Sequence, residues 1–210
     1  EVTFTIANAP TITVLNPVEE DIYDEGVEVL FEIEVADGED DADDLTVSVT
    51  SDLDDVLWMD PADADGTVAF GTDTLSMGEH TITATVTDTD GLSSSSTQLL
   101  VVNGLPSAPV VQTSPADPVT GDGLLATIIE DSVDPDDPET EITYSYAWWV
   151  DGVDVGETTD SIDAILTAKG EEWTVTVTPY DGLSDGAIGN YSVTIGNTTP
   201  SLSSASILPE

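Results

Sequence analysis

Cysteine is absent from the 210-residue sequence. Its absence excludes a disulfide framework and every zinc site that is built on thiolates. Basic residues are almost as scarce: Lys169 is the only Lys or Arg beside 44 acidic residues, and the formal net charge is −43. Because binding to phosphates requires basic side chains, we expect no nucleic-acid partner, and an anionic membrane surface would repel the chain.

Histidine and long apolar runs are scarce too. His80 is the only histidine, so a Ser-His-Asp triad would depend on it, and no nucleophile-elbow sequence accompanies it. There is no Gly-rich phosphate loop, and no apolar run reaches the ~18 residues of a membrane span. The sequence therefore predicts neither enzymatic activity nor direct membrane insertion, although its many carboxylate pairs leave a glycosidase open by residue count alone.

Apolar residues make up 39% of the chain, which is enough for a buried core, so we do not expect wholesale disorder. The repulsion within so negative a chain is tolerable at high ionic strength, because the screening length falls from ~8 Å at physiological salt toward ~3 Å at 1 M. Divalent cations bound to the carboxylates would have a similar effect. Both conditions favour an extracellular or cell-surface location, in seawater or brine.

An alternating strand followed by a linker containing Asn and Pro occurs three times, as VTFTIANAPTITV, LLVVNGLPSAPVV and SVTIGNTTPSLSS. Within these segments Asn8, Asn103 and Asn197 are spaced by 95 and 94 residues. This period is the length of one immunoglobulin-like sandwich, so we predict two complete repeats within a longer array. The predicted segments are 1–8 (last strand of a preceding repeat), 9–104 (repeat 1), 105–197 (repeat 2) and 198–210 (start of a following repeat).

A second match places apolar residues at every second position of GEHTITATVTDTDG (78–91) and GEEWTVTVTPYDG (170–182). Such alternation predicts strands that are buried on one face, and the Asp-Gly of VDGV (150–153) is typical of a two-residue hairpin. No segment has helical periodicity, so the predicted fold is all-β, with tandem immunoglobulin-like antiparallel β-sandwich domains. The predicted strands are 11–15, 27–36, 45–51, 67–75, 80–87, 96–103, 108–113, 123–130, 142–150, 153–156, 160–166, 172–178 and 190–196.

These segments resemble known bacterial repeats. GEHTITATVTDTDG is similar to the sixth-strand signature of PKD-like immunoglobulin-like repeats, and DPDDPETEITYSYAWWVDGV followed by TAKGEEWTVTVTPYDGLSDG resembles repeats of long secreted proteins from marine and predatory bacteria. The Asn-Pro linkers are similar to those of cadherin-like repeats, although the full cadherin linker motif is absent. The resemblance implies a β-sandwich that serves as a stalk, adhesive or filament module, often with calcium at the domain ends.

Acidic residues concentrate in two kinds of loop that a sandwich brings to one rim, namely the loop between its second and third strands and the loop between its last two. Residues 37–44 read DGEDDADD. Calcium binds six to eight oxygens at ~2.3–2.6 Å, which Asp-rich loops can supply, so we predict Ca2+ at these rims; a solvated acidic surface is the alternative. The candidate ligands are Asp37, Glu39, Asp41, Asp88 and Asp90 in repeat 1, and Asp134, Asp136 and Asp181 in repeat 2.

Two tryptophans adjoin the predicted hairpin. Trp148 shares the inward face of its strand with Tyr146, as is common in the third strand of such sandwiches, so Trp149 must face outward. We expect Trp149 either to be partly covered by its neighbours or to contact a neighbouring chain or a sugar ring. Trp173 is predicted to be buried, and the sequence does not place Trp58.

The sequence thus predicts a non-catalytic structural or adhesive segment of a long extracellular repeat protein, which forms a stalk, fibre or filament rigidified by calcium. The expected partners are adjacent repeats of the same chain, neighbouring copies in a filament, and cell-surface ligands. Asn190 and Asn197 begin N-glycosylation sequons. The alternatives are a carbohydrate-binding or accessory module of a secreted hydrolase, which would need two or three aromatic rings in a row, and a surface-layer component.

Overall fold

The computed structural model describes residues 8–200. The chain divides into two units, unit 1 (Glu1–Gly104) and unit 2 (Leu105–Glu210). The predicted strands of neighbouring repeats, at 1–8 and 198–210, lie almost entirely outside the described residues. Each unit is an immunoglobulin-like β-sandwich, which confirms the predicted fold class. Within the described residues the only helical segments are two 3-10 turns, Ala42–Asp44 and Ala164–Leu166.

Unit 1 is a sandwich of two sheets. One sheet has the strand order β1-β3-β6 and the other has the order β2-β8-β7-β4-β5. All neighbouring strands are antiparallel except β2 and β8, which are parallel. The strands are β1 (Thr11–Asn16), β2 (Asp21–Asp24), β3 (Val29–Ala36), β4 (Thr46–Ser51), β5 (Asp55–Pro61), β6 (Thr67–Thr72), β7 (Gly78–Thr87) and β8 (Ser93–Asn103).

The core of unit 1 follows from strict alternation in three strands. In β3 every second residue from Val29 to Val35 is buried, and β4 and β7 bury every second residue in the same way. Each fully buried Val, Ile or Phe side chain contributes about 1.5–3 kcal/mol to stability. Phe31 stacks on Phe70 at 4.6 Å between ring centroids, and Phe70 stacks on Trp58 at 5.8 Å. The aromatic stack therefore joins the edge strands β5 and β6 of the two sheets.

Unit 2 repeats this plan. Its sheets have the orders β13-β10-β9 and β12-β11-β14-β15. Leaving β2 aside, these correspond strand for strand to β6-β3-β1 and β5-β4-β7-β8 of unit 1. The strands are β9 (Val110–Ser114), β10 (Leu124–Glu130), β11 (Thr143–Val150), β12 (Val153–Asp154), β13 (Ser161–Ile162), β14 (Glu172–Tyr180) and β15 (Gly189–Thr194).

Two tryptophans occupy the core of unit 2. Trp148 is 0% exposed and Trp173 is 3% exposed, and their rings meet edge to face at 6.4 Å. The Trp148 indole N–H donates to the carbonyl of Thr159 at 2.9 Å, so the polar atom of this buried ring is satisfied. Both residues were predicted to be buried, and the structure confirms it.

The hairpin between β11 and β12 is also as predicted. Val150 pairs with Val153, and the two turn residues, Asp151 and Gly152, have φ values of 48° and 79°. Positive φ at both central positions defines the type I′ turn whose twist matches that of the flanking strands.

The sequence analysis was wrong about three segments. Strands β2 and β5 were not predicted, and β5 gives Trp58 a place against the core of unit 1. The predicted strand 160–166 contains only the two-residue β13, followed by the 3-10 turn Ala164–Leu166. Asp163 ends the strand there, because its carboxylate accepts a hydrogen bond from the Ile165 N–H at 3.0 Å and caps the turn.

Candidate functional site

The two acidic loops of unit 1 lie together at one rim. The loop after β3 contains Asp40, and the turn between β7 and β8 contains Thr89. The Asp40 carboxylate accepts hydrogen bonds from the Thr89 backbone N–H at 3.2 Å and from its hydroxyl at 2.8 Å. We call residues 37–44 and 88–91 together the unit 1 rim.

Asp37 organises the first of these loops. Its Oδ1 accepts hydrogen bonds from the backbone N–H groups of Glu39 at 2.8 Å and Asp40 at 3.0 Å. These two bonds hold the pKa of Asp37 below its ordinary value, so the carboxylate is ionised at neutral pH. Its second oxygen, Oδ2, is buried and has no hydrogen-bond partner among the described residues. This oxygen is an unused anionic acceptor at the rim.

Two of the other four candidate ligands of unit 1 accept local hydrogen bonds. The Glu39 carboxylate accepts a hydrogen bond from the Asn8 side-chain amide at 2.8 Å. Asp88 is buried, and its Oδ1 accepts from the Leu92 N–H at 2.8 Å. Asp41 and Asp90 are exposed. Asp41 precedes the 3-10 turn of this loop, and its side chain does not cap the turn.

The candidate ligands of unit 2 form two similar turns. Asp134 is 4% exposed, and its Oδ1 accepts from the N–H groups of Asp136 and Asp137, both at 3.2 Å. Asp181 is 9% exposed, and its Oδ1 accepts from the N–H groups of Leu183 and Ser184, both at 2.7 Å. Both carboxylates therefore fix loop backbone by satisfying N–H groups that the sheets leave unpaired.

Within residues 8–200, no three or more Asp, Glu, His or Cys side chains are grouped closely enough to hold a metal ion. The candidate carboxylates mainly accept hydrogen bonds from backbone N–H groups of their own loops. Asp37 differs from them because one of its oxygens is buried and unused. A cation at the unit 1 rim would have to take that oxygen together with neighbouring loop carboxylates and carbonyl groups.

His80 lies in the core of unit 1 and is 0% exposed. Its Nδ1 lies 2.7 Å from the Ser51 hydroxyl and 3.7 Å from the Asp54 carboxylate, and its Nε2 lies 2.6 Å from the Ser76 carbonyl oxygen. In a catalytic triad the serine and the carboxylate bind opposite nitrogens of the ring. Here both face Nδ1 and the ring is buried, so the arrangement joins β4 to β7 and the loop before β7.

The aromatic rings of unit 2 do not form a row. Trp149 lies outward on β11 and is half-buried, and its indole N–H is buried with no partner among the described residues. Tyr191 packs against the core. Tyr180 is 39% exposed, and its hydroxyl donates to the Gly182 carbonyl at 2.8 Å. Trp149 is thus partly covered, which was one of the two expectations for this residue.

The two sequons differ in their setting. Asn190 is exposed on β15, and Asn197 is exposed just beyond that strand, where its side-chain amide donates to the Thr198 carbonyl at 3.0 Å. Glycosylation at either remains a prediction. In the part of the chain that the structure describes, no helix has the length and apolarity needed to cross a membrane.

Known structures share this fold. No protein-family model matches the sequence, and no curated protein matches it. A calcium-stabilised adhesin that helps an Antarctic bacterium reach out and bind ice is 17% identical, with a TM-score of 0.51 over 96% of this chain and 52% of that one. A 1.5-MDa bacterial ice-binding adhesin is 15% identical, with a TM-score of 0.50 over 92% of this chain and 67% of that one.

A fragment of the titin I-band is equally similar, at 12% identity and a TM-score of 0.51 over 90% of this chain and 66% of that one. Identities this low show a common fold and no more. The chain spans about half the length of the first adhesin structure. These likenesses support the immunoglobulin-like fold and do not extend to the PKD-like or cadherin-like families.

Proposed function

We propose that the chain is a non-catalytic structural segment of a long extracellular repeat protein, in which successive sandwiches form a stalk or adhesive fibre. The observation that carries this proposal is the repetition of one strand order in two successive units of a single chain. In linear repeat proteins each unit contributes its own stability and length. The adhesin structures with this fold support the proposal, as does the PKD-like and cadherin-like resemblance of the sequence.

The charge of −43 supports an extracellular setting rich in salt or divalent cations. We propose further that calcium binds the unit 1 rim, with Asp37 Oδ2 as the first ligand. Two facts favour this position. The oxygen is buried without a partner, and the Asp40–Thr89 bonds bring a second acidic loop beside it. Calcium would offset repulsion between the loops and stiffen the rim.

Differential scanning fluorimetry with and without CaCl2, in a chelator-treated sample at moderate salt, tests the calcium proposal. A ligand that binds only the folded state raises the free energy of unfolding by about 2.7 kcal/mol when its concentration is 100 times its Kd. The melting temperature of the wild type should therefore rise. In Asp37→Asn the rise should disappear, because the variant keeps Oδ1 as an acceptor and loses the anionic oxygen.

Asp73→Asn is the matched control, because Asp73 is an exposed acid outside the unit 1 rim. This variant should respond to calcium as the wild type does. If calcium leaves the wild-type melting temperature unchanged, or if both variants respond equally, the proposed site is wrong. The stalk proposal would survive that result, since it rests on the repetition of the fold.

The carbohydrate-binding alternative rests on Trp149, whose half-buried ring lies outward on β11. A glycan-array screen with Trp149→Ala as the control tests it. Binding of a defined glycan by the wild type and its loss in the variant would favour this function over a purely structural one.

A further inference from the structure

A cleft of about 300 Å³ lies in unit 2 between the end of β10 and the start of β11, and we call it the hydroxyl cleft. It is lined by Asp131 and Ser132, which follow β10, by Thr140 in the connecting loop, and by Ile142 and Tyr144 around the start of β11. Its volume is at the lower end of the ~300–1,000 Å³ that is usual for ligand clefts. The hydroxyl cleft therefore has room for one small ring.

The polar groups of the hydroxyl cleft have hydrogen-bonding capacity that the fold does not use. The Ser132 side chain is 7% exposed, and its hydroxyl has no hydrogen-bond partner among the described residues. Tyr144 accepts a hydrogen bond from the Ser132 backbone N–H at 2.8 Å, but nothing within residues 8–200 accepts the proton of its own hydroxyl. Buried polar groups are ordinarily hydrogen-bonded, so the Ser132 hydroxyl indicates a partner from outside the chain.

Backbone hydrogen bonds hold this lining in place. The Val133 N–H donates to the Ser107 hydroxyl at 2.9 Å, and the Val133 carbonyl accepts from the Ser107 N–H at 3.0 Å. These bonds fix the segment that carries Ser132. The Thr140 N–H donates to the Asp137 carbonyl at 3.0 Å and closes a turn of the loop. Because the lining is already ordered, a ligand would bind with little cost in loop ordering.

The chemistry of the lining separates the classes of ligand. Lys169 is the only Lys or Arg of the chain and does not line the hydroxyl cleft, so an anion would meet the Asp131 carboxylate without a basic partner. Calcium requires six to eight oxygens, largely from carboxylates and carbonyl groups, and this lining offers one carboxylate.

An organic cation fits poorly for a different reason. The Tyr144 oxygen already accepts an N–H, so its remaining capacity is to donate, whereas ammonium and guanidinium groups are donors only. The Asp131 carboxylate, by contrast, accepts only. A suitable ligand must therefore carry donors and acceptors side by side and no charge.

We infer that the hydroxyl cleft binds a neutral pyranose ring. Neighbouring hydroxyl groups of a sugar both donate and accept, so one pair can donate to the two oxygens of Asp131 while another oxygen accepts from Tyr144 or Ser132. The C–H side of the ring would pack on Ile142. This role goes beyond the proposed stalk, which needs no ligand, and it does not depend on the outward ring of Trp149.

Saturation-transfer difference NMR tests the inference, because a single neutral ring in an open cleft binds weakly. The probes are the methyl glycosides of glucose, galactose, mannose and N-acetylglucosamine, and at least one should receive saturation from the wild type. Asp131→Asn should raise the Kd of that glycoside about tenfold, because hydrogen bonds to a charged group are the stronger ones. Ser132→Ala should raise the Kd by a smaller factor without lowering the melting temperature, since it deletes a buried hydroxyl that the fold leaves unsatisfied.

Asp117→Asn is the matched control, because Asp117 is an exposed acid of unit 2 outside the hydroxyl cleft, and it should bind as the wild type does. The inference is overturned if none of the four glycosides receives saturation, or if Asp131→Asn binds as tightly as the wild type. Loss of binding in Trp149→Ala would also overturn it, by assigning the sugar to the outer face of β11. Saturation of ethylammonium but of no glycoside would show a cation site instead.

A comparison of the free sugar with its methyl glycoside separates two sources of the ligand. Equal Kd values support recognition of the terminal ring of a glycan, and a lower Kd for the free sugar supports recognition of a soluble sugar. The stalk proposal would survive a negative result in all of these experiments, since it rests on the repetition of the fold.

Discussion

Replacing His80 with alanine should destabilise unit 1 far more than unit 2. The buried ring is bonded to the Ser51 hydroxyl and to the Ser76 carbonyl oxygen, and Ser51 in turn accepts from the N–H groups of Leu53 and Asp54. Removing the ring leaves the first two groups without their partner and opens a cavity between the strands.

The magnitude follows from these losses. An unsatisfied buried polar group costs about 1–3 kcal/mol, and truncation of a large core side chain costs about 2–5 kcal/mol. The contributions overlap, because the surroundings relax, so we expect a loss of at least about 3 kcal/mol in the free energy of unfolding of unit 1. Each 1.4 kcal/mol is a factor of ten in an equilibrium constant, so the open population rises by about 100-fold.

Native-state hydrogen exchange read by mass spectrometry measures this loss within one sample. Amides in β7 of His80→Ala should exchange about 100-fold faster than in the wild type, whereas amides in β14 of unit 2 serve as an internal control and should not change. Thr83→Ala, an outward neighbour on the same strand, should change β7 exchange little. If His80→Ala accelerates exchange in β7 less than fivefold, or accelerates β14 equally, the buried network does not stabilise unit 1 as argued.

Three further predictions follow from the structure. Trp58→Ala should lower the free energy of unfolding of unit 1 by about 2 kcal/mol, because Trp58 covers Phe70 at the open edge of the sandwich; urea unfolding that is unchanged would show that β5 is not packed there. Acid should destabilise the protein: backbone or side-chain hydrogen bonds hold the pKa of Asp37, Asp52 and Asp65 below the ordinary value. The stability that these groups contribute is therefore complete above their unfolded-state pKa and is lost as the pH falls through the folded-state value. A melting temperature that does not fall between pH 5 and pH 2 in 1 M NaCl, where repulsion among the carboxylates is already screened, would contradict this. Raising NaCl from 0.1 to 1 M should increase the melting temperature, since salt screens repulsion among the carboxylates, and no change would show that this repulsion does not limit stability.

The local sequence pattern was sufficient to predict those strands in which buried and exposed residues alternate strictly. β3, β7 and β14 bury every second residue, and the hairpin at Asp151-Gly152 follows from its dipeptide. β5 was missed because it is an edge strand with a bulge in its pairing to β4, so its burial does not alternate. β2 is four residues long and forms through parallel pairing with β8, far away in sequence, so no local signal marks it.

The candidate site was predicted only in outline. Composition and the order of strands were enough to expect two acidic loops at one rim, and the Asp40–Thr89 bonds show the two loops of unit 1 in contact. The unpaired oxygen of Asp37 depends on how the loop folds around its backbone N–H groups. A run of similar acids does not distinguish the residue whose carboxylate turns inward from those that stay in solvent.

The account rests on two self-contained sandwich units in succession, and single-molecule force spectroscopy tests this most directly. A unit of ~95 residues extends to ~3.6 Å per residue, so each unit should unfold in a separate event that lengthens the chain by about 30 nm. Two such events per molecule are predicted. A single event that releases about twice that length would show one merged domain and would contradict the account.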